Sequence, residues 1–406
     1  MNRELFVITD APKKDGLCMI YRCKKPKEKK KKNFRELPYF RKSHMRASTK
    51  LSPDKKNHEP LASAAVCFLP KYCQYVDHKK CKLFFILNPN KMNHRVAVMS
   101  ASESIPDHLI RVIECKQGAV RAVRFNVDGG YCMTCGSDKS VKLWNPHKGT
   151  LLHTYAGHGY EVLDARGSTD NSLLASCGLD KSVMMWNVAT GEAMRKFRGH
   201  AARVNCLAFN EESTVVISGS MDNSVRMWDL RSRKYDPIQV LDEAKDGVMS
   251  IAVNDNEILT SSLDCYTRIY DIRNGKLVSN CIGDSVTCAS FSGDSQCILV
   301  STTNSKLFLM DKDTGELLAE YTGHTSRDYR VESCFTASDT HILSGSEDGH
   351  IYCWDLINGT LKNKLEHKGS QVVHSLSPHP SDPLVLTATL GQVWLWGKPP
   401  EIDEDT

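Results

Sequence analysis

The sequence predicts an all-β fold in which a four-stranded unit is repeated seven times around a ring. Three observations carry this. An aromatic or large apolar residue closes an alternating run at Trp144, Trp186, Trp228, Tyr270, Met310, Trp354 and Trp396, with spacings of 42, 42, 42, 40, 44 and 42 residues. A period in the low forties is that of a four-stranded unit. Between these positions apolar residues alternate with period two in short runs bounded by Gly, Asn, Asp and Ser. The last unit ends at Trp396 after only three such runs, while the alternating run Leu109–Glu114 stands unassigned just ahead of the first.

In chain order, residues 1–106 show no repeat. Residues 1–100 hold 24 Lys/Arg against 8 Asp/Glu, a net of +16, whereas residues 101–406 hold 29 against 40, a net of −11. The division predicts a basic, disordered arm (1–106), an acidic body (107–398) and an acidic tail (399–406). Lys24, Lys25, Lys27, Lys29, Lys30, Lys31 and Lys32 form a run suited to nuclear import or nucleic-acid contact, or simply a solvated arm. No aromatic residue interleaves with it, so RNA is expected to be met only indirectly. Cys67, Cys73, His78 and Cys81 fit no common zinc spacing. Lys79–Phe85 has the basic-then-apolar form of a kinase-docking peptide, and Met99 offers an alternative start just before the body.

The body's third unit illustrates all of them. Arg203–Phe209, Val215–Ser218, Ser224–Trp228 and Pro237–Leu241 read as strands, and Asn210–Ser213, Ser220–Asn223 and Arg231–Arg233 as the turns between them. The missing fourth strand of the last unit is supplied by Leu109–Glu114, which closes the ring and removes its edges. In Cys132-Met133-Thr134-Cys135 the two sulfurs fall on opposite faces of a strand, so the motif is a core coincidence.

Gly157-His158, Gly199-His200 and Gly323-His324 recur at one end of the units. Trp144-Asn145, Trp186-Asn187, Trp228-Asp229 and Trp354-Asp355 recur at the other. In register, these dipeptides resemble the WD40 repeat, and the resemblance implies a seven-bladed WD40 β-propeller. It also implies structural tetrads, in which a buried indole N–H is linked through Ser and His to a turn Asp. The matching sets are His158, Ser176, Asp180 and Trp186; His200, Ser218, Asp222 and Trp228; and His324, Ser344, Asp348 and Trp354. A Ser-His-Asp catalytic reading is set aside, because the set recurs three times with a Trp and no oxyanion hole accompanies it. The first unit has Thr134, Asp138 and Trp144 without a preceding Gly-His. The fourth has Thr260, Asp264 and Tyr270, the fifth Asn304 and Met310, and the seventh has a turn one residue short, between Thr387 and Val393. Units four, five and seven are expected to be less rigid.

Composition excludes several classes. Apolar residues are 41% and charged residues 25%, as in a globular chain. No run approaches the length of a membrane span, so no membrane association is expected. Sixteen cysteines in a chain without an apolar leader read as reduced thiols. No metal cluster, phosphate loop or nucleotide fingerprint appears, and the channel-facing strands read as mostly apolar. No catalytic residue, cofactor or metal is therefore expected.

Residues 118–168, 197–233, 241–251 and 311–324 more closely resemble one branch of the family, which scaffolds the extracellular-signal-regulated (mitogen-activated) kinase cascade and belongs to the spliceosome. The resemblance implies a non-enzymatic, monomeric scaffold whose partners are kinase-cascade and spliceosomal proteins, in cytoplasm and nucleus. The alternative is a substrate receptor of a cullin–RING ubiquitin ligase, because Trp228-Asp229-Leu230-Arg231 matches that group's WDxR box. The plain reading is that Arg231 merely begins a turn. Tyr160, Glu161, Arg203, Met221, Arg327, Tyr329 and Arg330, on loops at the Gly-His side, are the partner-binding candidates.

Overall fold

The computed structural model describes residues 105–398 except 368 and 370, together with two short strand pairs nearer the N-terminus. The chain divides into two compact units, Met1–Glu103 and Ser104–Thr406. In the first, Phe6–Thr9 pairs antiparallel with Met19–Arg22, and Cys67–Phe68 with Cys73–Gln74. The lysine run, the side chains of the Cys67/Cys73/His78/Cys81 set, the Lys79–Phe85 peptide, Met99 and the acidic tail lie outside the described residues.

The described part of the second unit is all-β, with five four-stranded antiparallel sheets and one seven-stranded sheet. The innermost strands of the four-stranded sheets are Val162–Gly167, Val204–Phe209, Val248–Asn254, Val286–Phe291 and Ser333–Phe335. In the third repeat the strands are Val204–Phe209, Val215–Ser220, Val225–Asp229 and Gln239–Leu241, close to the sequence reading. The seven-stranded sheet joins the last repeat, Ser375–Pro378, Val385–Ala388 and Leu390–Gly397, to the first through the 18-residue strand His108–Phe125. The first half of that strand pairs with Leu390–Gly397, with Val393 opposite Ile113 and Trp394 opposite Val112. Its second half pairs with Cys132–Gly136.

Burial follows strand position. The inner three strands of a repeat are mostly buried, whereas an outer strand such as Thr150–Ala156 buries only Tyr155. The core therefore lies between successive sheets. Ala122, Cys135 and Tyr155 of the first repeat pack with Leu174, Met184 and Trp186 of the second. Ala175, Cys177 and Phe197 pack with Val204, Leu207 and Trp228 of the third. Trp186, Trp228 and Trp354 are each 1% exposed, so truncation of any one to Ala removes about 3–5 kcal/mol. Cys132 packs between the last and first repeats and Cys135 between the first and second, on opposite faces of one strand.

Turn chemistry repeats with the strands. At the turn between the second and third strands, Lys139, Lys181, Asn223, Cys265 and Ser305 hold φ of 66°, 62°, 68°, 71° and 56°, with Gly349 in the same slot at 81°. This is a turn closed by a left-handed residue. The Asp or Asn after the blade tryptophan serves the next turn. The Asn187 side chain accepts the Thr190 N–H at 2.9 Å while its carbonyl accepts the Gly191 N–H at 2.9 Å. Gly191, at φ 75°, supplies the left-handed conformation that lets the chain reverse.

Candidate functional site

The second and third repeats assemble the expected polar chains, hydrogen-bonded throughout in the third. Trp186 Nε1 donates to Ser176 Oγ at 2.7 Å, Ser176 lies 2.7 Å from His158 Nε2, and His158 Nδ1 lies 3.1 Å from Asp180. In the third repeat the distances are 2.8 Å from Trp228 to Ser218, 2.8 Å from Ser218 to His200 Nε2, and 2.9 Å from His200 Nδ1 to Asp222. In the third repeat a neutral imidazole protonated on Nδ1 gives every atom a partner: the indole donates to Ser, Ser to His, and His to Asp. In the second, His158 Nδ1 stands close to Asp180 without hydrogen-bond geometry. Burial opposes ionisation of Asp180 and Asp222, but the histidines and Ser182 or Ser224 outweigh it and hold both carboxyls well below the usual range. The carboxylates also reach the loop. Asp180 accepts the Gly159 N–H at 3.2 Å and Asp222 the Ala201 N–H at 2.8 Å. The buried chain thereby fixes the exposed turn above it.

The sixth repeat departs from expectation. His324, Ser344, Asp348 and Trp354 are neighbours but are not joined as a tetrad. Trp354 Nε1 donates to the Thr322 carbonyl at 3.3 Å and Ser344 to the Gly345 carbonyl at 3.0 Å, and neither ring nitrogen of His324 has a hydrogen-bond partner. The reason is Tyr352, two residues ahead of the tryptophan. Its ring stacks on Trp354 at 5.6 Å, and its hydroxyl donates to Asp348 Oδ2 at 2.8 Å, where Lys364 also bonds at 3.2 Å. With the carboxylate taken, buried His324 stays neutral, its pKa lowered to about 4 by desolvation. The same position decides the fourth repeat, where Arg268 pairs with Asp264 at 2.6 Å and Tyr270 donates to Glu243 at 3.1 Å. In the fifth, Asn304 donates to Asp284 at 3.3 Å and Met310 is buried.

Two networks escape the dipeptide pattern. In the first repeat Gln117 replaces histidine. Trp144 Nε1 donates to Thr134 at 2.9 Å, Thr134 to Gln117 Oε1 at 2.5 Å, and Gln117 Nε2 to Asp138 at 3.1 Å. In the last repeat His367 lies 2.8 Å from Thr387, which accepts the Trp396 indole N–H at 3.0 Å, while His367 Nδ1 faces the Gly349 carbonyl at 3.2 Å instead of an Asp. Gln117-Gly118 and His367-Lys368-Gly369 were the readable signals, with the glycine after the polar residue.

The channel-facing strands also correct the apolar reading. Arg124 makes two bonds to Glu332, at 2.7 and 2.6 Å, and pairs with Asp164 at 3.1 Å. Arg330 pairs with Glu332 at 3.2 Å and donates to the Asn205 carbonyl at 3.0 Å. Ser375 donates to Glu332 at 2.6 Å. These groups come from the inner edges of five repeats and join side chains distant in sequence. Burial would raise the Glu332 pKa, but Arg124 and Arg330 hold it at about 2. The signal in the sequence was a pair of charges two residues apart, Asp164/Arg166 on a strand and Arg330/Glu332 just ahead of one.

The model of the WD domain, G-beta repeat matches residues 107–145, 149–187, 191–229 and 315–355. WD repeat domain-containing protein 83 of Rattus norvegicus is 63% identical over 292 residues, covering 72% of this chain and 92% of that protein. The chain belongs to the WD40-repeat family. The Homo sapiens protein of the same name is 62% identical over the same shares, and a Dictyostelium discoideum homologue is 34% identical over 69% of this chain and 94% of its own length.

On this WD40 scaffold the partner candidates separate. Tyr160 is 63% exposed, with Lys139 over its ring at 5.8 Å. Arg203 and Arg327 are exposed, and Tyr329 lies edge-on to His374 at 5.6 Å. Glu161 pairs with Arg121 at 3.2 Å, and Met221 is half-buried, its sulfur against Gly247. Arg330 is the correction: its side chain turns inward to the Glu332 network instead of outward to a partner. Glu347, which sequence reading missed, accepts the Arg327, Asp328 and Tyr329 N–H groups at 2.6, 2.8 and 2.9 Å on one oxygen. Arg231 of the WDxR string is exposed, 3.2 Å from Glu212, and its N–H donates to Asp229 at 2.9 Å, the same turn-capping bond that Arg273, Asp313 and Ile357 make to Asp271, Asp311 and Asp355.

Proposed function

We propose that the chain is a non-enzymatic scaffold that assembles protein complexes of the extracellular-signal-regulated kinase cascade and of pre-mRNA splicing, in cytoplasm and nucleus. One observation carries the scaffold reading. Exposed Tyr160, Arg327 and Tyr329 sit on turns whose backbones are clamped by buried or half-buried carboxylates, so little ordering entropy opposes a partner that docks there. The kinase and splicing assignments rest on the resemblance of residues 118–168, 197–233, 241–251 and 311–324 to that branch of the family. The body is taken as seven blades closed into a ring and acting as a monomer. In support, the inner strands pack in succession from His108–Phe125 round to Ser375–Pro378, which again meets His108–Phe125. A rigid disc with several faces raises the effective concentration of bound partners without chemistry.

The test is affinity purification of the whole chain from nuclear and cytoplasmic extracts, beside a Tyr160→Ala/Tyr329→Ala variant. Splicing proteins in the first and cascade kinases in the second, both reduced by the double variant, is the expected result. Absence of both sets overturns the assignment. The ligase-receptor alternative finds support only in the exposure of Arg231; a cullin adaptor captured by the parent chain and lost on Arg231→Ala would put it first.

A further inference from the structure

A cavity of about 630 Å³ opens among the inner strands and the loops that follow them, on the side away from the Gly-His turns. Its volume suits a small organic ligand. Its walls mix polar and apolar surface, with Phe209, Ile251, Val253, Phe291 and Phe335 making the apolar part. Its floor holds the ion network, whose own charges do not cancel. Three guanidiniums, Arg124, Arg166 and Arg330, meet two carboxylates, Asp164 and Glu332.

The carboxylates are already occupied. Glu332 accepts from Arg124, Arg330, Ser375 and the Leu376 N–H, and Asp164 from Arg124 and the Ala165 and Leu207 N–H groups. Arg166 is left over. Its Nε lies 3.7 Å from Asp164 without a hydrogen bond, and its side chain is 39% exposed where it lines the cavity. Asp164 and Arg166 sit two residues apart on one strand, so both face the cavity. A guanidinium beside two other arginines, short of an acceptor and partly desolvated, is a place for one anionic oxygen pair. Glu211 and Asp339 also line the cavity wall, so an anion is favoured only where it sits directly on Arg166, and a second negative charge is disfavoured.

We propose that this cavity binds a small organic monocarboxylate, with its carboxylate paired to Arg166 and an apolar body against Phe209, Phe291 and Phe335. The ligand is an amphipathic acid, free or as the C-terminal residue of a peptide.

The probes are 3-phenylpropionate, its neutral amide, and a short peptide ending in Phe with a free or an amidated C-terminus, each titrated into the whole chain by calorimetry and ligand-observed NMR. The free acid should bind with a dissociation constant of about 1 mM or tighter, and the amide about tenfold more weakly, since a charge-assisted bond is lost. Binding of the free-terminus peptide alone would assign the carboxylate to a chain end, and binding of 3-phenylpropionate to a free acid. Arg166→Gln should abolish the acid-over-amide preference and Arg166→Lys should keep part of it. The denaturation midpoint should hold in both, because Arg166 makes no side-chain hydrogen bond in the fold. Equal binding of acid and amide, no saturable binding of any probe, or a preference unchanged in Arg166→Gln would each overturn the proposal.

Discussion

Gln117→Leu isolates what the polar chain of the first blade contributes. Gln117 is 0% exposed, and leucine nearly preserves its volume, so the cavity term is small. Four partners lose a bond: Thr134 Oγ1, Asp138 Oδ1, the Ser140 carbonyl and, at 3.4 Å, Ser140 Oγ, which keeps its bond to Asp138. Thr134 and the Ser140 carbonyl cost about 1–1.5 kcal/mol each. Asp138 loses less than an isolated carboxylate, because it keeps the Ser140 N–H at 3.0 Å, the Ser140 hydroxyl at 2.7 Å and Lys142 at 3.2 Å. The expected destabilisation is about 2–4 kcal/mol by equilibrium urea unfolding. Thr134→Val in the same background should lose less than it does alone, with a coupling of about 1 kcal/mol, because Thr134 and Gln117 share one bond. A Gln117→Leu variant within about 0.5 kcal/mol of the parent would refute the claim that this chain does more than fill space.

Asp222→Ala should cost about 1–3 kcal/mol by leaving His200 and the Ala201 N–H unpaired, whereas His324→Leu should be neutral or stabilising, because His324 makes no hydrogen bond to lose; urea unfolding of the pair distinguishes a closed blade from an open one. Arg124→Met should cost about 3–5 kcal/mol by leaving Glu332 and Asp164 buried with too few donors, and midpoints like those of the parent would contradict the network. Stability should fall with pH through a histidine window. Burial lowers His324, His367 and His374 from 6.5 to about 4, so each is neutral in the fold and protonated on unfolding. The unfolded chain then binds more protons between these values, so stability is full above about 6.5, declines as pH falls toward 4 and levels below it. The lowered carboxylates add their loss only below the unfolded carboxyl range, so a melting temperature that stays flat from pH 7 to about 4.5 would count against the histidine account.

Much of the fold was legible because the features that specify it repeat. Trp186, Trp228 and their Asn187 or Asp229 neighbours recur at a fixed spacing, and each performs a local duty, burial or turn capping, that needs only adjacent residues. The pairing of Leu109–Glu114 with the last repeat was legible from a strand count. The tetrads of the second and third blades could be read for the same reason. What could not be read depends on side chains that reach across the period. Nothing in Gly323-His324 reveals that Tyr352 and Lys364 occupy the carboxylate the histidine would need. Gln117 escaped because it stands three residues before Val120, whereas His158 and His200 stand four before Val162 and Val204; left-handed Lys116 and Gly118, at φ 52° and 66°, redirect the backbone to bring it in. Arg330 looked like a surface residue because its sequence neighbours Arg327 and Tyr329 are exposed, but its side chain turns inward beside Glu332.

The tetrad and its replacements answer one physical demand in different ways. A tryptophan at the end of a blade's third strand brings an indole N–H into the dry space between sheets, and that group needs an acceptor. Ser176, Ser218, Thr134 and Thr387 supply hydroxyls, and His158, His200, Gln117 and His367 orient them. Where the residue is Met310, no such group exists, and the chain is dispensable there. Where it is Tyr270, the hydroxyl passes beyond the strand to Glu243. The Asp at the turn has a separate duty that survives the loss of the indole link. Asp264 still accepts the Lys245 N–H at 2.8 Å, as Asp180 and Asp222 accept those of Gly159 and Ala201. Position of the exposed loops and satisfaction of the buried indole are thus separable. A blade that has lost its histidine keeps a clamped surface turn as long as it keeps the aspartate, so loop geometry on the Gly-His face should tolerate His324 variants and fail with Asp222 or Glu347 variants.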